Sequence, residues 1–150
     1  HSDATIITVG TTSLRTIESL YWMGVKLIEK KKEKNNIVIE EISVNQWDAY
    51  ELPQQYSAKE SLSALIEWMK KNNTNRIITK TQIIIAPSYS LKLAKAVITN
   101  FHQPQSTLLL LVAAIIGNDW KKVYNYALEN NFRFLSYGDG SLLWKTTLQE

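Results

Sequence analysis

The stretch ITNFHQPQSTLLLLVAAIIG, Ile98 to Gly117, sets a short run of strand character against a helix-length aliphatic run, with the one internal histidine, His102, between them. A strand that hands over through a polar turn to an apolar helix is the unit of a layered α/β fold, because the helix then packs its apolar side on the sheet. The spacing predicts the helix from about Ser106 to Ile116. Apolar residues occupy every face of it, so burial on nearly all sides is expected. As a helix, Leu108 to Ile116 is about 13 Å long against a bilayer core of about 30 Å, so it is a packing element and not a membrane span.

The same alternation continues outward. AKAVITNF (Ala94 to Phe101) is the strand before the histidine, and ATIITVG (Ala4 to Gly10) is a β-branched run that ends at a glycine. Leu14, Ile17, Leu20 or Tyr21, and Met23 or Gly24 follow at helical spacing, and that helix is expected to fade at Gly24 or within KLIEKKKEKNN. NIVIEEISV (Asn36 to Val44) reads as a second strand and NQWDAYELPQQY as a structured loop. SAKESLSALIEWMKKNN opens with a capping box, Ser57 with Glu60, carries Leu62, Leu65, Ile66 and Met69 on one face, and stops at Asn72 and Asn73. RIITKTQIIIAP predicts one or two short strands ended by Pro87, DWKKVYNYALENN a short amphipathic helix, and FRFLSYGDGSLLW a strand, a glycine-bracketed turn and a second apolar run. Together these elements predict an α/β fold, a layered sheet with at least some parallel strands and helices packed on it, in a single domain over residues 1–150.

Composition narrows the classes. The chain has 150 residues, 45% hydrophobic and 21% charged, enough to bury a core. A net charge of +3 permits an RNA partner without demanding one. Zero cysteines exclude disulfides, thiolate metal sites and cysteine nucleophiles, and are compatible with a reducing cytosol. HSDATIITVG has neither a basic start nor a long apolar stretch, so it is not a signal peptide, and without an initiator methionine the chain is expected to be a fragment of a longer protein.

Three polar stretches are candidates for chemistry. In GTTSLRT (Gly10 to Thr16), a glycine and three hydroxyls stand at a strand-to-helix junction, where backbone N–H groups favour anionic or polar ligand groups. The spacing is neither a Walker A loop nor GxGxxG, and an ordinary helix cap with Arg15 on a solvated face explains it as well. In TNFHQPQST (Thr99 to Thr107), polar Thr99, Asn100, His102, Ser106 and Thr107 fall at the end of a strand and the start of a buried helix, the edge where open α/β sheets place ligands. His102 has the ordinary pKa of a base near neutrality, yet it also suits a residue that braces a proline turn while Ser106 caps the helix. In FRFLSYGDGS (Phe132 to Ser141), Tyr137 and Asp139 flank Gly138, in what is also an ordinary turn sequence. The basic run KLIEKKKEKNN, interleaved with Glu29 and Glu33, reads as a solvated helix end. No metal cluster, catalytic triad or RNA-binding aromatic signature is present in the sequence.

Taken in order, VGTTSLRTIES, ITNFHQPQSTLLLLVAAIIG and FRFLSYGDGSLL resemble the C-terminal part of the S-adenosylmethionine:tRNA ribosyltransferase-isomerase family of queuosine biosynthesis. The resemblance implies transfer and isomerisation of the ribosyl part of S-adenosylmethionine onto the aminomethyl group of 7-aminomethyl-7-deazaguanine in tRNA. Epoxyqueuosine would form, with adenine and methionine released. It implies S-adenosylmethionine as substrate with no metal, the modified tRNA as partner, a cytoplasmic location with no membrane, and an N-terminal part with a β-barrel domain that is not in this chain. On that reading His102 is the expected base and Asp139 an anchor for a ribose hydroxyl or the departing amine. Asn100, Ser106 and Thr107 orient the ribose or methionine portions, Thr11, Thr12, Ser13 and Arg15 form the opposite wall, and Tyr137 stacks on a base.

The departures from the family pattern are specific. Ser88 stands where the family has glycine, Lys95 where it has an acidic residue, Gln103 and Gln105 where it has Leu and Lys, and Gly140 and Ser141 where it has Ala and Met. The segment around NQWDAYELPQQYSAKESLSALIEWMKKNN also departs from the family's spacing. These changes fit a divergent branch, and the alternative is a catalytically altered paralogue that acts as a tRNA-binding or nucleoside-binding module, with the isolated fragment inactive.

Overall fold

The computed structural model describes residues 4–33, 36–103 and 106–145. They fall into two compact units, one from residues up to Leu14 with Ile85 onward, the other from Arg15 to Ile84 inserted between them in sequence. The reading of the chain as a single domain did not separate these units.

The first unit holds a three-stranded mixed sheet. β1 (Ile7–Val9), β2 (Ala96–Asn100) and β3 (Gly140–Trp144) lie in the order β1-β2-β3, with β1 parallel and β3 antiparallel to the central strand. The register pairs Val9 with Ile98 and Asn100 with Gly140. The predicted α/β layering with a parallel strand pair is therefore present. Helix α4 (Leu108–Ile116) buries Leu111, Val112 and Ile115, and α5 (Trp120–Glu129) buries Tyr124 and Ala127. α4 is buried on one face and not all round: Leu110 is 40% exposed, and Ala113, Ala114 and Ile116 are half-buried. FRFL contributes no strand; Phe132 and Phe134 instead pack edge-on or tilted against Phe101, each with ring centroids 5.5 Å away. Burying aromatic area against Phe101 wins over extending the sheet.

α1 (Thr11–Lys31) begins at the end of β1 and runs on into the second unit, through Gly24. The glycine is required, since any Cβ there would fall on the backbone of Ser61. Ser61 lies on α3 (Ala58–Lys71), whose N-terminus has the Ser57 and Glu60 capping box expected from sequence. α3 ends as its asparagines predict. Asn73 takes φ +49°, with Thr74 N–H bonded to Met69 O at 3.0 Å and Asn73 N–H to Lys70 O at 3.1 Å, the paired bonds of a Schellman stop.

Two strand expectations fail in this unit. Asn36 to Val44 holds a 3-10 turn, Ile39–Ile42, and residues 76–87 hold no strand beyond a single parallel bridge of Val44 to Thr81. The β-branched residues are buried by side-chain packing, as at Ile42, Val44 and Ile83, without a continuous ladder. The turn beside them is tied by polar bonds: Lys26 Nζ donates to Ser43 O at 2.6 Å and pairs with Asp48, which starts the short α2 (Asp48–Glu51) and also accepts Asn45 N–H at 2.7 Å.

Residues Ala86 to Tyr89 of the first unit explain one departure from the family pattern. Tyr89 N–H bonds to Ala86 O at 3.0 Å, Pro87 takes the second position, and Ser88 in the third has φ +84°. That is the type II turn pattern, whose third position favours glycine because a Cβ is strained at positive φ.

Two stability outcomes follow. Ser88→Gly should relieve about 1 kcal/mol of strain and raise the melting temperature by about 3 °C, while Ser88→Ala should not; calorimetry on both variants reads the difference. Lys26→Met leaves the Asp48 carboxylate without its cation in a largely buried setting and should cost about 3 kcal/mol in urea unfolding, with much of that recovered in Lys26→Met/Asp48→Asn.

Candidate functional site

Because β1 and β2 run parallel and β3 antiparallel, the exits of the first two strands and the entry to the third meet on one edge of the sheet. Each of the three motifs contributes its turn there. Gly10 (φ +87°) leaves β1 with its N–H bonded to Ile98 O at 2.8 Å, and its carbonyl accepts the first helical N–H, from Leu14, at 3.2 Å. Thr11, Thr12 and Ser13 form the first turn of α1, with Thr12 and Ser13 exposed. The positive end of this 21-residue helix is thus presented at the sheet edge.

At the exit of β2, Asn100 does not point to a free space but donates from Nδ2 to Gly138 O at 2.9 Å. Phe101 is buried, and its backbone closes the same turn: its N–H bonds to Asp139 O at 3.2 Å and its carbonyl accepts Leu135 N–H at 2.8 Å. His102 is half-buried. Its Nε2 lies 3.1 Å from Thr99 Oγ1, and its backbone N–H donates to Tyr124 Oη at 3.1 Å. Burial pushes the imidazole pKa below its ordinary value, so the ring is neutral at pH 7. Beyond it, Ser106 Oγ accepts Leu108 N–H at 3.2 Å at the start of α4, which begins two residues later than the sequence placed it; Thr107 takes the N-cap position without a side-chain cap bond and is exposed. Gln105 lies outside the described residues.

The third turn is a clasp. Arg133 N–H donates to Asp139 Oδ2 at 2.7 Å, its guanidinium reaches Oδ1 at 3.2 Å, and Asp139 N–H returns to Arg133 O at 2.8 Å. The backbone N–H and the guanidinium of Arg133 hold the Asp139 carboxyl below its ordinary pKa, which makes it an acceptor and not a proton donor at neutral pH. Gly138 is obligatory because a Cβ would meet Arg133 O, and Leu135 is held at φ +70°. This strained loop presents Tyr137 with 95% of its surface exposed.

Arg15 belongs to the second unit, where its Nε donates to Ile83 O at 2.9 Å. Tyr124 and Arg133 are partners that sequence reasoning did not select, and Thr99 was named among the polar residues of the strand end without a role. Arg133 had a visible signal, an opposite charge six residues before Asp139 around a glycine; Tyr124 meets His102 only through tertiary packing. Among the described residues no group of three or more His, Asp or Glu is assembled, and no helix is long and apolar enough to cross a membrane.

Comparison with known proteins matches this arrangement to one family. The crystal structure of an S-adenosylmethionine tRNA ribosyltransferase from Thermotoga maritima superposes with a TM-score of 0.53 at 30% identity, over 92% of this chain and 32% of that one. S-adenosylmethionine:tRNA ribosyltransferase-isomerases from Ruegeria pomeroyi and Phenylobacterium zucineum are 50% and 48% identical over 64 and 67 residues, 42% and 44% of this chain. Those matched stretches span 18% and 19% of the two relatives. The family model described as queuosine biosynthesis protein matches residues 1–143. With the match running through all three turns of the sheet edge, the chain belongs to the queuosine biosynthesis protein family.

Proposed function

We propose that this chain forms the C-terminal α/β part of an S-adenosylmethionine:tRNA ribosyltransferase-isomerase. It would transfer and isomerise the ribosyl group of S-adenosylmethionine onto 7-aminomethyl-7-deazaguanine in tRNA, giving epoxyqueuosine in the cytoplasm, with the remainder of the protein completing the active site. The observation that carries this reading is the convergence of the three family-like turns on one edge of one sheet.

The roles follow from the local chemistry. The α1 N-terminus, with Thr11, Thr12 and Ser13, suits a carboxylate such as that of the methionine portion, because helix N–H groups and the dipole favour negative charge. Ser106 and Thr107 at the start of α4 offer hydroxyls for the ribose. Neutral, half-buried His102 offers a proton or a hydrogen bond to the reacting sugar or the departing purine. Asn100 and Asp139 act on the ligand through the loop they anchor, and exposed Tyr137 supplies a face for a base to stack on.

The test is adenine release from S-adenosylmethionine by the protein in its full-length form, with and without tRNA carrying 7-aminomethyl-7-deazaguanine. Release only with that tRNA is expected, and His102→Ala should lower it by about 100-fold or more. Near-normal turnover of that variant would reduce His102 to a turn brace. In a second assay, Tyr137→Ala should weaken tRNA-dependent turnover without changing thermal stability, since the side chain is almost wholly exposed.

A further inference from the structure

We propose that Thr99 holds the proton of His102 on Nδ1, so that the histidine meets its ligand as a hydrogen-bond donor and not as a base. The tautomer is a property of the chain itself; its use toward a ligand rests on the reading of His102 given above.

The argument is one of hydrogen-bond accounting. Thr99 is 6% exposed, and among the described residues its hydroxyl has one partner, His102 Nε2 at 3.1 Å. A hydroxyl carries a single hydrogen, and a neutral imidazole carries one N–H and one lone pair. If Nε2 carried the proton it would donate to Oγ1, and the hydroxyl hydrogen of a buried residue would be left without an acceptor. If Oγ1 donates to the Nε2 lone pair, the hydroxyl hydrogen and Nε2 are both satisfied and the proton resides on Nδ1, on the side left open to a ligand or water. Buried polar groups are satisfied in folded proteins because the alternative forfeits their hydration, so the second arrangement wins, by about tenfold or more.

The surroundings keep the pair in place. Thr99 lies on the central strand, and its carbonyl accepts Ser141 Oγ–H at 3.1 Å from β3. The His102 backbone is tied to Tyr124 Oη, and the Tyr124 ring packs 5.4 Å from Phe101 and 6.1 Å from Phe134. With backbone and Nε2 both engaged, Nδ1 is the polar atom of His102 that has no partner among the described residues. Burial keeps the ring neutral, which preserves the distinction between its two nitrogens. What Nδ1–H recognises is a lone pair on a ligand oxygen or nitrogen, such as a ribose hydroxyl or a purine ring nitrogen. Accepting a proton from the ligand side would require the opposite tautomer and would break the Thr99 bond.

Long-range proton–nitrogen NMR at neutral pH distinguishes protonated from unprotonated ring nitrogens, and the chain has only two histidines, His1 and His102. The His102 signals are assigned by their loss in His102→Asn. Wild type is expected to show protonated Nδ1 and unprotonated Nε2, Thr99→Val to shift toward the Nε2–H form preferred by free imidazole, and Thr99→Ser to keep the wild-type pattern. Predominant Nε2–H in the wild type overturns the proposal, as does an unchanged tautomer in a folded Thr99→Val variant. Neither readout involves tRNA or S-adenosylmethionine, so failure of the turnover assay with this tautomer intact would remove the enzymatic reading alone.

Discussion

The first unit depends on β2 having a hydrogen-bonded neighbour on each side. A two-stranded pairing would leave one row of backbone groups unsatisfied, whereas β2 places both rows, parallel to β1 and antiparallel to β3. The mixed directions have a geometric consequence. Chain enters β3 on the edge where it leaves β1 and β2, so turns far apart in sequence are brought within backbone bonding distance, as in Phe101 N–H to Asp139 O at 3.2 Å. Phe101 consolidates that edge from below. Its ring meets Tyr124, Phe132 and Phe134, so the residue next to His102 is the centre of an aromatic cluster contributed by three segments of chain.

A division of labour within the site follows from these bonds. Asn100 and Asp139, which the sequence offered as ligand contacts, spend their polar atoms on the loop that carries Tyr137. Side chains already bonded within the protein cost nothing to organise when a ligand arrives, and they hold the exposed groups in a fixed geometry. The strained backbone at Leu135 belongs to the same loop, where its cost is sustained by the surrounding clasp and the bond from Leu135 N–H to Phe101 O.

Legibility in the sequence tracked how local the cause was. β1, β2, α1, α3 and α5 could be read because periodicity, capping and glycine or asparagine stops act within a few residues, the Ser57 box and the Asn73 stop being instances, whereas the last strand was expected at FRFL and lies instead in the apolar run after the turn, Gly140–Trp144. Residues 36–44 and 76–87 were misread because β-branched composition specifies burial but not a ladder, and here packing beneath α1 and α3 within the second unit satisfies it. α4 misled for a related reason: a helix apolar on every side need not have partners on every side within the chain, and Leu110 is left exposed. In the site, His102 and the glycines stood out by residue type. The Thr99 and Tyr124 contacts did not, since each depends on tertiary neighbours that no single spacing encodes.

The departures from the family pattern take on a different meaning once they have positions. Lys95 precedes β2, whose five residues at about 3.3 Å each put it roughly 17 Å from the Asn100 end. Its backbone pairs there with Ile6 O and Lys145 N–H, on the opposite edge from the three turns. Ser88 lies in a type II turn upstream of that same strand entry, where its effect is on backbone strain. Gln103 is on the site side, but it is exposed and its carbonyl accepts Ser106 N–H, a bond that any side chain at that position permits. Ser141 adds a hydroxyl bond to the Thr99 carbonyl and so reinforces the pairing beside His102. Most of the divergence therefore falls on elements that carry the sheet or brace it, while Gly10 to Ser13, Asn100, His102 and Gly138 to Asp139 keep the residue types on which the edge is built.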